Sequence, residues 1–388
     1  MSLKQQADAL LQGATAAGQV PGVVAMATDR KGTLYEGAFG VRALGAAAPM
    51  TLDTVCWIAS MSKALTTTAA MQLIEQGRLE LDGEAGRWLP RLKAMQVLTG
   101  FDADGKPQTR APKRAITVRH LLTHTAGFGY EFLSTDVQKL QAALQIPSIV
   151  SGQRVSLDMP LLFDPGERWE YGTNLDWLGQ VVEAVCGERL GAYLQHQVFE
   201  PLGMRDTSFA PNASMRSRLA NLHQRGTDGK LVAIDLQWPQ GDFDAGGAGL
   251  YGTAGDYLKF IRMLLNRGQA DGGRVLKEDT VALMSQNQIG ALNVLPAKSA
   301  VPSLTNDFQL PPDNPQKWGL SFMINTLPLP TGRAAGSLMW AGLSNSYYWI
   351  DPSSGVGGVY LTQILPFLDL HSFPLFMGFE SAVYRNRQ

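Results

Sequence analysis

Residues 56–82 read CWIASMSKALTTTAAMQLIEQGRLELD, and they set Ser60 three positions before Lys63 at the mouth of an amphipathic run. The pattern predicts a helix over 61–77 with Ala, Leu and Met on one stripe and Gly77 as its C-terminal cap. Residues i and i+3 share a helical face, so the Lys63 amine reaches the Ser60 hydroxyl. At the first turn, the helix dipole also favours negative charge developing beside Ser60. A serine hydroxyl is a weak nucleophile until a neighbouring base takes its proton. An ordinary lysine serves poorly, because using it as a base near neutral pH costs about 4–5 kcal/mol unless burial or a partner lowers its pKa. The preceding TVCWIAS (54–60) is apolar enough to bury the amine, and a second group is expected beside it. Alone, Ser-x-x-Lys is a weak signal, since about one or two matches arise by chance in a chain this long. The bland alternative is an N-capping Ser60 with a solvated Lys63.

Working outward, residues 3–17 read as an amphipathic helix, and VPGVVAMATDRKGTLYEGAFGVR (20–42) as two strands joined by a polar turn at 29–32. GFDADGKPQTRAPKR (100–114) is a polar excursion whose Asp102, Asp104 and Gly105 lack the later acidic ligands of a calcium loop, so it reads as an exposed turn. From 117 to about 268 helical patterns dominate, with Leu175, Leu178, Val182 and Val185 on one face. Residues 292–316, rich in Pro, Asn and Ser, read as a long loop near a binding surface, with Phe308 and Leu310 hinting at an apolar pocket. SLMWAGLSNSYYWIDPSSGVGGVYLTQ (337–363) gives adjacent strands with a Pro-Ser-Ser-Gly turn, and FPLFMGFESAVYRNR (373–387) a closing helix. Strands at both ends enclosing helices predict an α+β fold. Its central sheet comes from residues 1–54 and about 246–388, about 55–245 form a mostly helical domain, and the active site lies between them.

With 388 residues the chain can bury a large core. Lys plus Arg number 33 against 34 Asp plus Glu, which removes the electrostatic case for nucleic acid or an anionic membrane surface. MSLKQQADALLQG has no continuous apolar stretch of the secretory kind, and no later run is long enough for a membrane span, so a cytoplasmic protein acting on a small neutral molecule is expected. Cys56 and Cys186 are far apart and five histidines form no ligand cluster, so neither a disulfide framework nor a metal or cofactor is expected. The sequence leaves a homo-oligomer open.

IASMSK (58–63), AITVRHLLTHTAG (115–127), FDPGERWEYGTN (163–174), GGAGLYGTAGDYLKFIRMLLNRG (246–268) and MWAGLSNSYYWIDP (339–352) together resemble the class C β-lactamase-related serine hydrolases, most closely the family VIII carboxylesterases. The resemblance runs nearly end to end and implies a β-lactamase-like fold, a central antiparallel sheet flanked by helices. It implies Ser60 as the acylated nucleophile, Lys63 as its neighbour, and Tyr171 as the tyrosine that shares proton transfer with Lys63, whether Lys63 or Tyr171 is the formal base. A phenol beside an ammonium is pushed toward phenolate. The segment Trp340, Ala341, Gly342 stands where lactam enzymes carry Lys-Thr-Gly, and the N–H groups of Ser60 and Leu343 are implied as the oxyanion hole. Two departures bear on the substrate. Thr173 holds the third place of the Tyr-x-Asn motif, with Asn174 one residue late, and Trp340 replaces a cation with an apolar wall. Both imply neutral esters over β-lactams, with Trp340, Ala341, Gly342 and Thr173 lining the pocket. His120 and His124 read as structural, and Ser344 lacks the last glycine of a Gly-x-Ser-x-Gly elbow. The expected function is a serine carboxylesterase for small to medium neutral esters. The alternatives are a β-lactamase, a D-amino-acid peptidase or an acyltransferase using the same residues, or a non-catalytic binding protein on the same scaffold.

Overall fold

The computed structural model describes residues 1–386. Its centre is a seven-stranded sheet. Strands β1 (Gly22–Asp29) and β2 (Thr33–Gly40) form the N-terminal hairpin. The C-terminal part supplies β3 (Gln316–Trp318), β4 (Met323–Asn325), β5 (Leu338–Gly342), β6 (Ser346–Asp351) and β7 (Val356–Leu361). The order is β3-β4-β5-β6-β7-β1-β2, antiparallel throughout, so the two ends of the chain meet where β1 pairs with β7.

Strands β6 and β7 and nearly all of β1 are buried, which explains their continuous apolar reading, whereas the edge strand β2 is largely exposed. Alternate residues of β1 serve opposite faces. Val23 and Ala25 pack with Trp349 and Tyr360 beneath helices α1 (Leu3–Ala16) and α5 (Ser372–Arg385). Val24 and Met26 join Tyr348, Val359 and the larger core on the other face, which includes helix α4 (Ala254–Leu265).

Between sheet and helical region runs α2 (Ser62–Glu75), where every residue from Ser62 to Leu73 is buried. The single apolar stripe expected of this helix is therefore wrong. Its threonines do not face water, because they satisfy their hydroxyls inside the protein: Thr66 donates to the Gly246 carbonyl at 2.8 Å and Thr68 to that of Ala64 at 2.9 Å. The middle of the chain is also less purely helical than its pattern implied. Val97–Phe101 pairs with Pro107–Arg110, and Leu222–Arg225 with Leu231–Ile234, around glycine-containing turns at 102–106 and 226–230. Helix α3 (Asn174–Cys186) packs on α2 and carries Asp176.

Behind the sheet, Arg333 and Glu380 form a wholly buried ion pair, Arg333 Nε donating to Glu380 Oε1 at 3.0 Å, with a second guanidinium bond and the Thr331 hydroxyl on the same carboxylate. Removing one member of such a pair strands the other charge. Glu380→Ala is expected to lower unfolding free energy by about 3–5 kcal/mol, read as an earlier urea midpoint. The double variant Arg333→Met/Glu380→Leu should recover most of the loss.

Candidate active site

Ser60 lies in a tight turn, Ala59–Met61, that leads into α2, and Ala59 before it holds a left-handed φ of 46°. A non-glycine residue there is strained, and the surrounding buried chain must hold it. The turn is braced from two sides. Ile58 N–H donates to Leu250 O at 3.0 Å, and the Ser344 hydroxyl and the Gln363 amide each donate to Trp57 O at 3.0 Å. The fully buried Ser344 is thus a strut for the turn and takes no part as a nucleophile.

The end of β5 closes on the same turn. A Cβ on Gly342 would lie 2.5 Å from the Ile58 carbonyl oxygen, so glycine is what lets the strand approach. Just beyond it Leu343 follows, and neither its N–H nor that of Ser60 donates to another group among the described residues. Two free N–H groups at this junction are what an oxyanion hole requires.

Lys63 is 1% exposed, and its Nζ donates to Ser60 Oγ at 3.0 Å, Tyr130 Oη at 3.1 Å and the Gly247 carbonyl at 2.7 Å. Burial lowers its pKa to about 7, against the opposing pull of the Asp176 carboxylate. Three acceptors match the three hydrogens of an ammonium. The neutral amine fits equally well, because it keeps two N–H donors and offers its lone pair to the Ser60 hydroxyl.

Tyr171 is half-buried and lines the same cavity as Ser60. The Trp340 indole N–H donates to Tyr171 Oη at 3.1 Å. Lys63 Nζ sits over the Tyr171 ring, 4.7 Å from its centroid, and not against its oxygen. Burial raises the phenol's pKa further than the neighbouring Ser60 and Trp340 side chains lower it. Burial thus works against the phenolate expected from an adjacent ammonium, raising the Tyr171 phenol while it lowers the Lys63 amine. Trp340 is more than the apolar wall expected of it, since its N–H ends on the phenol.

Ser60, Tyr171, Trp340, Ala341, Gly342 and Leu343 line one cavity of about 680 Å³, walled also by Phe132, Phe308 and Leu310. The 292–316 loop therefore contributes to its wall. Thr173 is buried just before α3 and does not line the cavity, contrary to expectation. Asn174 is wholly buried and its amide lies 3.0 Å from His124 Nδ1, which also accepts the Gly172 N–H at 3.4 Å. Burial and the nearby Lys63 hold His124 well below its usual pKa, so it is a neutral support for the Tyr171 turn. His120 Nδ1 accepts the Thr117 N–H at a helix start.

Sequence reasoning missed two contributors. Tyr130, three residues past a quoted motif, touches Lys63 and carried no signal of its own. Asp176 gave no sequence signal, because it lies off the Leu175, Leu178, Val182 and Val185 stripe of α3, beside Gln180 and Glu183; it is wholly buried and receives the Gly247 N–H at 2.9 Å and the Tyr130 hydroxyl at 3.4 Å.

Comparison with known proteins places this geometry. The family model described as Beta-lactamase matches residues 7–372. The chain belongs to the beta-lactamase family, a family of serine hydrolases. Within it, the chain is 35% identical over 387 residues to "Monacolin J acid methylbutanoyltransferase" of Aspergillus terreus, covering 95% of this chain and 93% of that protein. It is 34% identical over 377 residues to "Lovastatin esterase" of Penicillium rubens, covering 92% and 93%. Among solved structures, a variant of simvastatin synthase (LovD) from Aspergillus terreus superposes with a TM-score of 0.86 at 34% identity, covering 98% of each chain. EstCE1, "a hydrolase with promiscuous acyltransferase activity", gives 0.78 at 27% identity, again over 98% of each. The family relatives thus include both ester hydrolysis and acyl transfer by name.

Proposed function

We propose that the protein forms an acyl-enzyme on Ser60 from neutral esters with apolar groups, and passes the acyl group to water or to an acceptor hydroxyl. The observation that carries this reading is the desolvated Lys63 amine 3.0 Å from Ser60 Oγ, beside an apolar cavity. Ser60 Oγ bonds to the ester carbonyl carbon while its proton moves to the Lys63 lone pair. The resulting oxyanion lies against the N–H groups of Ser60 and Leu343. As the carbon–oxygen bond to the alcohol breaks, the proton taken up by Lys63 passes to the leaving oxygen, to which the Tyr171 hydroxyl donates a hydrogen bond. Water or an acceptor hydroxyl then repeats the sequence in reverse and frees Ser60.

A cavity of about 680 Å³ falls in the range that encloses a drug-sized molecule. That size supports bulkier substrates than the small to medium esters the sequence suggested. The similarity to a methylbutanoyltransferase and an esterase supports a short branched acyl group with a large apolar partner. In place of the lactam enzymes' cation, Trp340 offers a neutral N–H already engaged by Tyr171, which supports slow β-lactam turnover.

The test is p-nitrophenyl methylbutanoate turnover with and without monacolin J acid as acceptor, beside nitrocefin. Acceptor-dependent ester product, with hydrolysis when the acceptor is omitted and nitrocefin slower by about 10²-fold or more, is the expected result. Nitrocefin turning over faster than the ester would replace this reading with a β-lactamase.

A further inference from the structure

Lys63 is held by two acceptors that take no part in the chemistry, the Tyr130 hydroxyl and the Gly247 carbonyl. Both are themselves fixed by one side chain. Asp176, in the first turn of α3, accepts the Tyr130 hydroxyl on Oδ2 at 3.4 Å and the Gly247 N–H on Oδ1 at 2.9 Å. The Tyr130 proton committed to Asp176 leaves oxygen lone pairs facing Lys63. The Gly247 N–H committed to Asp176 fixes a peptide whose carbonyl faces Lys63. Room for this carboxylate is made by the absence of a side chain, since a Cβ on Gly247 would lie 2.4 Å from Oδ2 and 2.9 Å from Oδ1.

We propose that Asp176 is the positioning residue of the site: it fixes the two acceptors that engage two of the Lys63 hydrogens, directs the third position of the amine at Ser60, and sets with its charge the pH at which that amine becomes available. The proposal rests on the Ser60 and Lys63 reading above. A buried carboxylate needs donors or a cation to stay ionised, and Asp176 has a peptide N–H, a phenol O–H, the positive end of α3 and the nearby ammonium. In return, its charge draws the proton toward Lys63, opposing the burial that drives the proton away.

The other titratable groups facing Lys63 are silent near neutral pH. His124 is held well below its ordinary pKa by burial and by Lys63. Tyr130 and Tyr171 are both raised, chiefly by burial. Glu131, next to Tyr130, is turned away to the Ser148 hydroxyl and the Ile149 N–H. Lys63 and Asp176 therefore govern the titration of the site together.

The measurement is the pH dependence of kcat/KM for a p-nitrophenyl ester, paired with the rate at which a fluorophosphonate labels Ser60, for the parent, Asp176→Asn and Tyr130→Phe. Loss of the negative charge makes Lys63 release its proton more easily. The acidic limb of Asp176→Asn is expected to move down by about one pH unit or more, while kcat falls roughly tenfold or more because the amine is weaker and less well aimed. Tyr130→Phe keeps the charge and loses one acceptor, so its limb moves the same way by less. An unmoved limb in Asp176→Asn, with activity lost only in step with thermal stability, would overturn the proposal and make Asp176 a structural residue. Should Asp176→Asn not fold, an unmoved limb in Tyr130→Phe overturns it equally. If the fluorophosphonate does not label Ser60 in the parent, the underlying acyl-enzyme reading fails first; labelling of the parent with unmoved limbs in the variants defeats only the role of Asp176.

Discussion

Ser60→Ala is expected to lower ester turnover by roughly 10⁴-fold or more, abolish fluorophosphonate labelling, and leave the fold intact. Three features of the structure set this expectation. The hydroxyl is the only atom removed, and the turn that carries it is held by backbone bonds and by Ser344 and Gln363, so the change does not loosen the site. Lys63 keeps its Tyr130 and Gly247 contacts, so no buried charge is stranded. Among the described residues, Ser344 is fully buried with its hydroxyl committed to Trp57 O, and Cys56 is buried with its thiol pushed up to about 12, so neither is placed to substitute. Circular dichroism and thermal unfolding should match the parent while the rate is lost. Parental turnover in Ser60→Ala would mean a different nucleophile and a different mechanism.

The parts of the site legible in the sequence are those fixed by spacing along one element or by a motif. Ser60 and Lys63 lie one turn apart, and that local geometry is independent of the rest of the fold. Strands β5, β6 and β7 were legible because their apolar and aromatic runs are broken by turns at 343–345 and 352–355. What was not legible depends on distant chain segments meeting. Tyr130 reaches Lys63 across 67 residues, and Gly247 across 184. The misjudged state of Tyr171 has the same origin. A neighbouring ammonium was foreseen, but how far the phenol is desolvated, and that the ammonium sits over its ring, are properties of packing. Likewise Thr173 matched a motif position, yet the turn into α3 carries it into the interior and away from the cavity.

Lys63→Met should lower kcat/KM by about 10²–10⁴-fold and remove the pH dependence that the parent shows near neutrality. The methionine side chain is straight and apolar, and so fills the channel in which Lys63 is 1% exposed. With the amine as the proposed base, activity follows its unprotonated fraction. Because burial places its pKa at about 7, the rate should rise as pH increases through that value and level off above it, falling about tenfold per pH unit on the acidic side. The sign distinguishes this assignment from its rival. Were Tyr171 the base, its upward-shifted pKa would make the rate climb well into the alkaline range, with no plateau above neutrality. Residual activity in Lys63→Met would come from the oxyanion N–H groups and from Tyr171, neither of which titrates near pH 7, so its profile should be flat there. A Lys63→Met enzyme that kept the parent's acidic limb would transfer that titration to Asp176, the remaining group of the pair, and the base of the reaction would have to be sought there.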